Sequence, residues 1–340
     1  MRDMAYSILI IKIGALGDVL RTTAFLKGLK ERHKGSNISW LTSQKAKELL
    51  INNKLIDEIY TLENKKELPE SFDLIISLDD EEKAAELATN LRKDKLIGAY
   101  LKGRKVAYTE DSCPWFDMGL TSRFGKEKAD KLKKLNERTY QQIISEIIGV
   151  KLSEPILNLY KENIEFANKF KEENNLKDDD LIIGLNTGAG KRWPLKKWDL
   201  EKTAELADKL SNELNAKVIL FGGPEEVSRN KMILENAKSP VIDAGCNNSS
   251  LEFSALIGLC DVLVCSDSLA LHIAVALKKK VVALFGPTSA AEIELYGRGR
   301  KIIAPIDCYC CYKKTCDKKP SCMDLISADM VFNAVKELTK

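Results

Sequence analysis

The hydrophobic positions of this chain alternate between short apolar runs and longer segments with helical spacing, and this alternation occurs twice. In the first half, the apolar runs that predict strands are 7–13, 37–41, 58–62, 72–78 and 95–100. In the second half, they are 181–186, 217–221, 241–244, 262–264 and 281–285. Strands that alternate with amphipathic helices are typical of parallel sheets with right-handed crossovers. The pattern therefore predicts two α/β domains of similar size with a cleft between them.

The boundaries of these domains follow from where the pattern stops and restarts. Residues 1–160 are predicted to form the first domain, 161–180 a linker and 181–322 the second domain, followed by an amphipathic helix within 323–340. Residues 108–126 show no periodicity and predict a long loop. Loops of this length in compact domains are often functional.

Composition narrows the class of protein. The chain has 340 residues and a net charge of +3, so it lacks the basic footprint of a nucleic-acid-binding protein. Its first residues lack the features of a signal peptide, and no apolar run is long enough to span a membrane. We therefore expect a cytoplasmic protein, in which the nine cysteines are thiols or metal ligands rather than disulfides.

A glycine-containing turn, KIGALGD, follows the first predicted strand and ends at Asp18. One interpretation is an aspartate that caps the next helix. The other is a general base at the carboxyl edge of a sheet, where α/β proteins bind ligands. The position near a helix N-terminus stabilises the charged form of a carboxylate and weakens it as a base.

Three further turns follow strands in the second half. NTGAGKRWP carries two adjacent cations and suits either a phosphate or a solvated surface. FGGPEE places an acid where a ribose could be bound, or where it would merely satisfy a helix dipole. SDSLALH begins a helix whose backbone N–H groups could hold a diphosphate.

Taken together, the segments KIGALGDVL, GKRWPLKKW, ILFGGPEE and SDSLALHIAVAL…VVALFGPTS resemble the heptosyltransferase family of bacterial lipopolysaccharide synthesis. The resemblance extends over nearly the whole chain. It implies a GT-B fold, with two Rossmann-like, doubly wound domains that face a cleft, and a terminal helix that packs back on the first domain.

The resemblance also implies roles for individual residues. Asp18 corresponds to the base, Lys191 to a donor-phosphate ligand, Glu225 to the ribose-binding acid and Asp267 to the residue beside the sugar. The full donor-binding set is Thr187, Lys191, Glu225, Asp267, Ser268, Leu269 and Ala270, and the acceptor-side set is Lys12, Gly17, Arg104 and Arg123. Leu269 stands where the family commonly has glycine, and it would be strained if that position requires a positive φ.

The activity that the resemblance implies is inverting transfer of a heptose from an ADP-sugar donor to a lipid-linked oligosaccharide acceptor. No cofactor is required for such transfer, and the enzyme would work at the inner face of the inner membrane, with peripheral membrane contact. Two alternatives remain open: the same fold with another donor or acceptor, and a non-catalytic protein that responds to metal or redox state.

The second alternative rests on a cluster of five cysteines between Cys308 and Cys322. Thiols this dense in a cytosolic protein suggest a zinc or iron–sulfur site that uses four of them. Free thiols and a redox-sensitive disulfide are the other interpretations. The family resemblance selects Cys308, Cys311, Cys316 and Cys322 as the counterparts of a conserved pattern.

Overall fold

The structure is a computed structural model, and it describes residues 5–190 and 193–340. The chain divides into two compact units. The first unit runs to Asn158 and also includes Ala291–Glu294, whereas the second comprises Leu159–Ala290 and Leu295–Lys340. The two α/β units confirm the fold class predicted from the hydrophobic pattern.

The first unit contains a sheet in the order β3-β2-β1-β4-β5-β6, in which β6 alone among the described strands is antiparallel to its neighbour. The strands are β1 (Ser7–Ile11), β2 (Asn37–Thr42), β3 (Glu58–Thr61), β4 (Ser71–Ser77), β5 (Arg92–Lys102) and β6 (Lys105–Tyr108). The helices are α1 (Leu16–Thr22), α2 (Leu26–Arg32), α3 (Gln44–Lys47), α4 (Glu82–Asn90), α5 (Cys113–Phe116), α6 (Lys126–Leu135) and α7 (Tyr140–Ile148).

Strand β1 lies at the centre of this sheet and is buried on both faces. Ile8 and Ile10 belong to one hydrophobic cluster, and Leu9 and Ile11 belong to another on the opposite face. Successive side chains of a strand point to opposite faces, so an uninterrupted apolar run is what a doubly covered strand requires. The carboxyl end of β1 therefore leads out of the densest part of the core.

The second unit contains a sheet in the order β12-β11-β10-β7-β8-β9, with parallel pairing throughout. The strands are β7 (Ile182–Asn186), β8 (Lys217–Phe221), β9 (Val241–Asp243), β10 (Val262–Ser266), β11 (Lys280–Phe285) and β12 (Gly299–Ile303). The helices are α8 (Lys161–Glu173), α9 (Leu200–Leu214), α10 (Val227–Asn236), α11 (Ser250–Gly258), α12 (Leu269–Ala276) and α13 (Ala328–Leu338).

Two details of the expected domain organisation differ from the structure. The terminal helix α13 was expected to pack on the first domain, but it belongs to the second unit: Val331, Phe332 and Val335 are buried in the core of that unit, where α13 contacts α9. Most of the expected linker is α8, which packs against α11 of the second unit. An amphipathic pattern shows that one face of a helix is buried, but not which sheet covers it.

Candidate functional site

Asp18 lies in the first turn of α1, just beyond the carboxyl end of the central strand β1. Its side chain is 33% exposed. The residue that precedes the helix, Ala15, provides no side-chain cap, and Asp18 lies within the helix rather than at the capping position. The capping interpretation of Asp18 is therefore wrong, and its carboxylate is placed at the sheet edge where ligands bind in α/β proteins.

The turn between β1 and α1, called here the Asp18 loop because it leads to Asp18, is held by Asp79, which follows the neighbouring strand β4. The Asp79 carboxylate accepts hydrogen bonds from the backbone N–H groups of Ile13 and, at 3.3 Å, Gly14. Its other oxygen lies 3.2 Å from Nζ of Lys12, which also donates to the backbone oxygen of Leu78 at 3.3 Å. Asp79 thus fixes the backbone of the turn four and five residues before Asp18.

Lys12 was expected on the acceptor side, but the structure buries it. Only 8% of the residue is exposed. Burial by itself lowers the pKa of Lys12, yet the nearby carboxylates of Asp79 and Asp18 raise it more, so the net pKa lies above its ordinary value. A buried ammonium paired in this way braces the loop. Gly17, also expected on the acceptor side, is buried as well.

Arg104 lies in the turn between β5 and β6, where it is exposed. Ser77, the last residue of β4, pairs with Gly98, so β5 continues four residues past that level to Lys102. At about 3.3 Å per residue, the hairpin extends roughly 13 Å beyond the neighbouring strand end. Gly98 has a φ of +105°, and a Cβ there would lie 1.9 Å from the backbone oxygen of Ser77.

Arg123, the other acceptor-side candidate, is already engaged in two ion pairs. It lies 3.1 Å from Glu110 and 3.1 Å from Asp117. Asp117 also accepts a hydrogen bond of 2.6 Å from Tyr108. Burial, followed by this hydrogen bond, raises the pKa of Tyr108 to about 12. The predicted long loop therefore contains a short helix, α5, and the ion pairs of Arg123 help to hold it.

In the second unit, the residues predicted for the donor lie where strands β7, β8 and β10 end. Thr187 follows β7, but it is buried, and its hydroxyl hydrogen bonds to Asn230 at 2.6 Å. Lys191 lies outside the described residues. Trp193, two residues later, packs edge-on against Tyr312 with ring centroids 5.5 Å apart.

The two acids after β8 have different environments. Glu225 is exposed, whereas Glu226 is 4% exposed. Glu226 accepts a hydrogen bond from the Gly223 N–H at 3.1 Å and lies 2.7 Å from Nζ of Lys197. Of the two, Glu225 is the one whose position suits contact with a ligand, while Glu226 holds the turn.

Asp267 and Ser268 connect β10 to α12 and are partly exposed. Leu269 is also partly exposed, whereas Ala270 is buried. Leu269 is the first residue of α12 and is not among the non-glycine residues with positive φ. The expected strain of leucine at a glycine position therefore does not arise. The start of α12 presents backbone N–H groups at the carboxyl end of β10, which is a suitable environment for a diphosphate.

Lys196 was not selected from the sequence, although it belongs to the same GKRWPLKKW segment as Lys191. It is 9% exposed, and its ammonium donates to the backbone oxygen of Asp267. The same nitrogen lies 3.6 Å from the Asp267 carboxylate. Ser266 in turn donates to the backbone oxygen of Lys196 at 2.6 Å. These contacts fix the strand end from which α12 begins.

The structure does not support the predicted metal site at the cysteines. Among residues 5–190 and 193–340, no group of three or more His, Cys, Asp or Glu side chains is arranged to hold a metal ion. Cys316 is exposed, whereas Cys322 is 8% exposed, with its sulfur 2.5 Å from where a Cβ of Gly286 would be. Burial raises the pKa of Cys322 to about 11. All five cysteines are free thiols.

Comparison with known proteins identifies a family and curated relatives that match large parts of the chain. The model of glycosyltransferase family 9 (heptosyltransferase) matches residues 62–321. A lipooligosaccharide heptosyltransferase 2 from Campylobacter jejuni is 29% identical over 183 residues. That alignment covers 52% of this chain and 57% of the relative, so the chain spans little more than half the length of this curated relative.

Two solved structures share the fold. A glycosyl transferase family 9 protein from Veillonella parvula superposes with a TM-score of 0.81 at 21% identity, over 99% of this chain and 98% of that one. The E. coli ADP-heptose lipopolysaccharide heptosyltransferase II superposes with a TM-score of 0.66 at 19% identity, over 98% of each chain. At these identities the likeness concerns the fold, which is the predicted GT-B class.

Proposed function

Since this chain belongs to glycosyltransferase family 9 (heptosyltransferase), we propose that it transfers a heptose from an ADP-sugar to a lipopolysaccharide-core acceptor. The family match over residues 62–321 is the observation that carries the proposal. The choice of an ADP-sugar is supported by the name of the E. coli enzyme that shares its fold.

In the proposed reaction, Asp18 accepts the proton of the acceptor hydroxyl while the oxygen of that hydroxyl attacks the anomeric carbon of the donor sugar. The bond to the diphosphate breaks on the opposite face, and the configuration inverts. A positioned base contributes about 10²–10⁴ to the rate. Support for Asp18 comes from its partial exposure at the carboxyl edge of the sheet and from the Asp79 contacts that order its loop.

The leaving ADP would be held by the second unit. Backbone N–H groups at the start of α12 would stabilise the diphosphate, Lys191 would supply a cation, and Glu225 would accept hydrogen bonds from the ribose. Charge stabilisation of this kind usually exceeds the contribution of the base. The proposal is supported by the exposure of Glu225 and by the Lys196 contacts that fix Asp267.

The acceptor would be lipid-linked, at the inner face of the inner membrane. Among the described residues, no helix has the length and apolar character needed to cross a bilayer. Peripheral contact is supported by Leu120 and Leu135, which are 70% and 78% exposed in a lysine-rich region around α6. Exposed apolar side chains beside cations suit an anionic membrane surface. Arg104 on the exposed hairpin would face acidic groups of the acceptor.

Ligand-dependent thermal unfolding tests the donor. A nucleotide at about 100 times its dissociation constant adds roughly 2.7 kcal/mol of stability. We expect ADP to raise the melting temperature and UDP and GDP to leave it unchanged. A preference for UDP or GDP would overturn the ADP-sugar assignment.

Replacing Asp18 with asparagine tests the base. We expect transfer from ADP-heptose to heptose-deficient core oligosaccharide to fall by at least 10²-fold, with ADP affinity unchanged. Asparagine keeps the size of the side chain and removes its basicity, so the loss reports proton transfer rather than packing. Turnover close to that of the wild type would remove Asp18 from this role.

A further inference from the structure

Arg21 follows Asp18 by three residues on α1 and faces it directly. An Nη atom of Arg21 lies 2.8 Å from Oδ1 of Asp18. The two side chains differ in exposure, at 9% for Arg21 and 33% for Asp18. The guanidinium of Arg21 is therefore buried where it contacts the carboxylate, while the carboxylate of Asp18 is partly exposed to solvent.

Two aromatic rings hold this guanidinium. Its central carbon lies 3.9 Å from the ring centroid of Tyr140 and 5.7 Å from that of Trp115. The two rings pack edge-on, with centroids 4.8 Å apart. Arginine favours such sites because its planar cation stacks on aromatic faces and is weakly hydrated. These contacts fix the orientation of the guanidinium plane, whereas the guanidinium of an exposed arginine rotates freely.

A chain of hydrogen bonds connects the same ring to the backbone of Asp18. The Thr22 hydroxyl donates to the backbone oxygen of Asp18 at 2.6 Å and lies 2.8 Å from the Tyr140 hydroxyl. Because a hydroxyl has one proton, Tyr140 must be the donor to Thr22. The backbone N–H of Tyr140 in turn donates to Glu292 at 3.0 Å. Tyr140 is thus fixed at both its ring and its backbone.

The titratable groups that the first unit places near Asp18 include Arg21 on its own helix, Lys12 and its partner Asp79 from the strand ends, and Tyr140 from α7. Burial is the main cause of the raised pKa of Tyr140, and the cations Lys12 and Arg21 oppose it. The phenol is therefore neutral at physiological pH. Lys12 pairs with Asp79 at 3.2 Å, and Arg21 contacts Asp18 directly at 2.8 Å.

We propose that Arg21 is a positioning residue for the reaction, which orients the Asp18 carboxylate and keeps it ionised for proton transfer. This inference rests on the proposed function of Asp18 as the base. Exposed ion pairs three residues apart on a helix contribute little because both side chains move freely. Here the cation is buried and stacked, so its charge acts on Asp18 at a fixed distance and direction.

The test compares Arg21→Met, Arg21→Lys and the wild type in the pH dependence of kcat/KM with ADP-heptose and core oligosaccharide. An adjacent cation shifts the ionisation of a carboxyl by about 1–3 pH units, and the partial exposure of Asp18 favours the lower end. We expect the acidic limb of the Arg21→Met profile to move upward by about one unit, with kcat at least tenfold lower and the donor KM within twofold. Arg21→Lys should restore the pH profile but not the full kcat.

A spectroscopic measurement keeps the inference testable without turnover. The infrared C=O stretch of the protonated Asp18 carboxyl can be isolated by subtracting the spectrum of Asp18→Asn from that of its parent protein. As the pH is lowered, this band should appear at a pH about one unit higher in the Arg21→Met background than in the wild type. If the methionine variant does not fold, Arg21→Gln, which also removes the charge, serves in the same comparison and should show the same upward shift.

The outcomes separate the two claims. If Asp18→Asn retains turnover, the proposed base is wrong, whatever the Arg21 variants do. If Asp18 is essential but the Arg21→Met profile and infrared titration match those of the wild type, Arg21 does not position the base. A loss of kcat with neither pH shift would likewise overturn the inference, because it would indicate packing alone.

Discussion

Replacing Asp79 with alanine should destabilise the first unit more than most single substitutions in this protein. The change removes the partner of Lys12, an ammonium that is only about a tenth exposed, and the acceptor for the N–H groups of Ile13 and Gly14. Removing one partner of a buried pair costs about 3–5 kcal/mol, because the other charge stays buried without compensation. That cost is a large share of the total stability of a typical domain, about 5–15 kcal/mol.

The measurement must report on the first unit separately, since the two units need not unfold together. Urea titration followed by pulsed hydrogen exchange provides this, with peptides from β1 and β4 analysed by mass spectrometry. We expect their unfolding midpoint to fall by the equivalent of about 3 kcal/mol in Asp79→Ala. Peptides from β7 and β10 of the second unit should keep their midpoint.

Two control variants decide the cause. Glu70→Ala breaks an ion pair with Arg92 in which the side chains are 83% and 77% exposed, so it should change stability by less than about 1 kcal/mol. Combining Asp79→Leu with Lys12→Met should recover at least half of the loss, because no charge is left buried. A change below about 1 kcal/mol in Asp79→Ala would refute the reasoning that this pair braces the Asp18 loop.

Two other predictions concern titratable groups outside the site. Because the pKa of Tyr108 is raised to about 12, the stability it contributes is present below pH 10 and lost between about pH 10 and 12. Phenol absorbance should lose one late-titrating tyrosine in Tyr108→Phe, while Tyr140, whose pKa is also raised, still titrates late. An unchanged titration curve would contradict the hydrogen bond from Tyr108 to Asp117. Iodoacetamide at pH 8 should modify exposed Cys316 well before Cys322, whose pKa is about 11, as followed by mass spectrometry. Equal rates would show that Cys322 is not packed as described.

The sequence predicted the central strands better than the edges of the sheets. Strands such as β1 and β10 are uninterrupted apolar runs, because both of their faces are covered. The edge strands β6 and β12 were missed, since Lys105–Tyr108 and Gly299–Ile303 include charged or polar residues on their exposed sides. An edge strand is specified largely by its neighbour, which a local pattern does not contain.

Some residues of the candidate site could likewise be predicted from the sequence, whereas others could not. Asp18 and Asp267 could be found because each follows a strand and stands at the start of a helix, and position alone suggests a role. Asp79 was missed because it belongs to an acidic run that looks solvated. Tyr140 follows Thr22 by 118 residues, and no local spacing predicts their hydrogen bond. The groups that would do chemistry are thus more visible in the sequence than those that hold them in place.

The short segment Ala291–Glu294 has a consequence for any attempt to exchange or express the halves of this protein. It belongs to the first unit although the residues on either side of it belong to the second. A fragment that ends at Asn158 would lack Glu292 and leave the amide of Tyr140 without its acceptor. Recombination at a single point in the gene therefore cannot transfer a complete first unit. A functional chimera would have to take both pieces from the same parent.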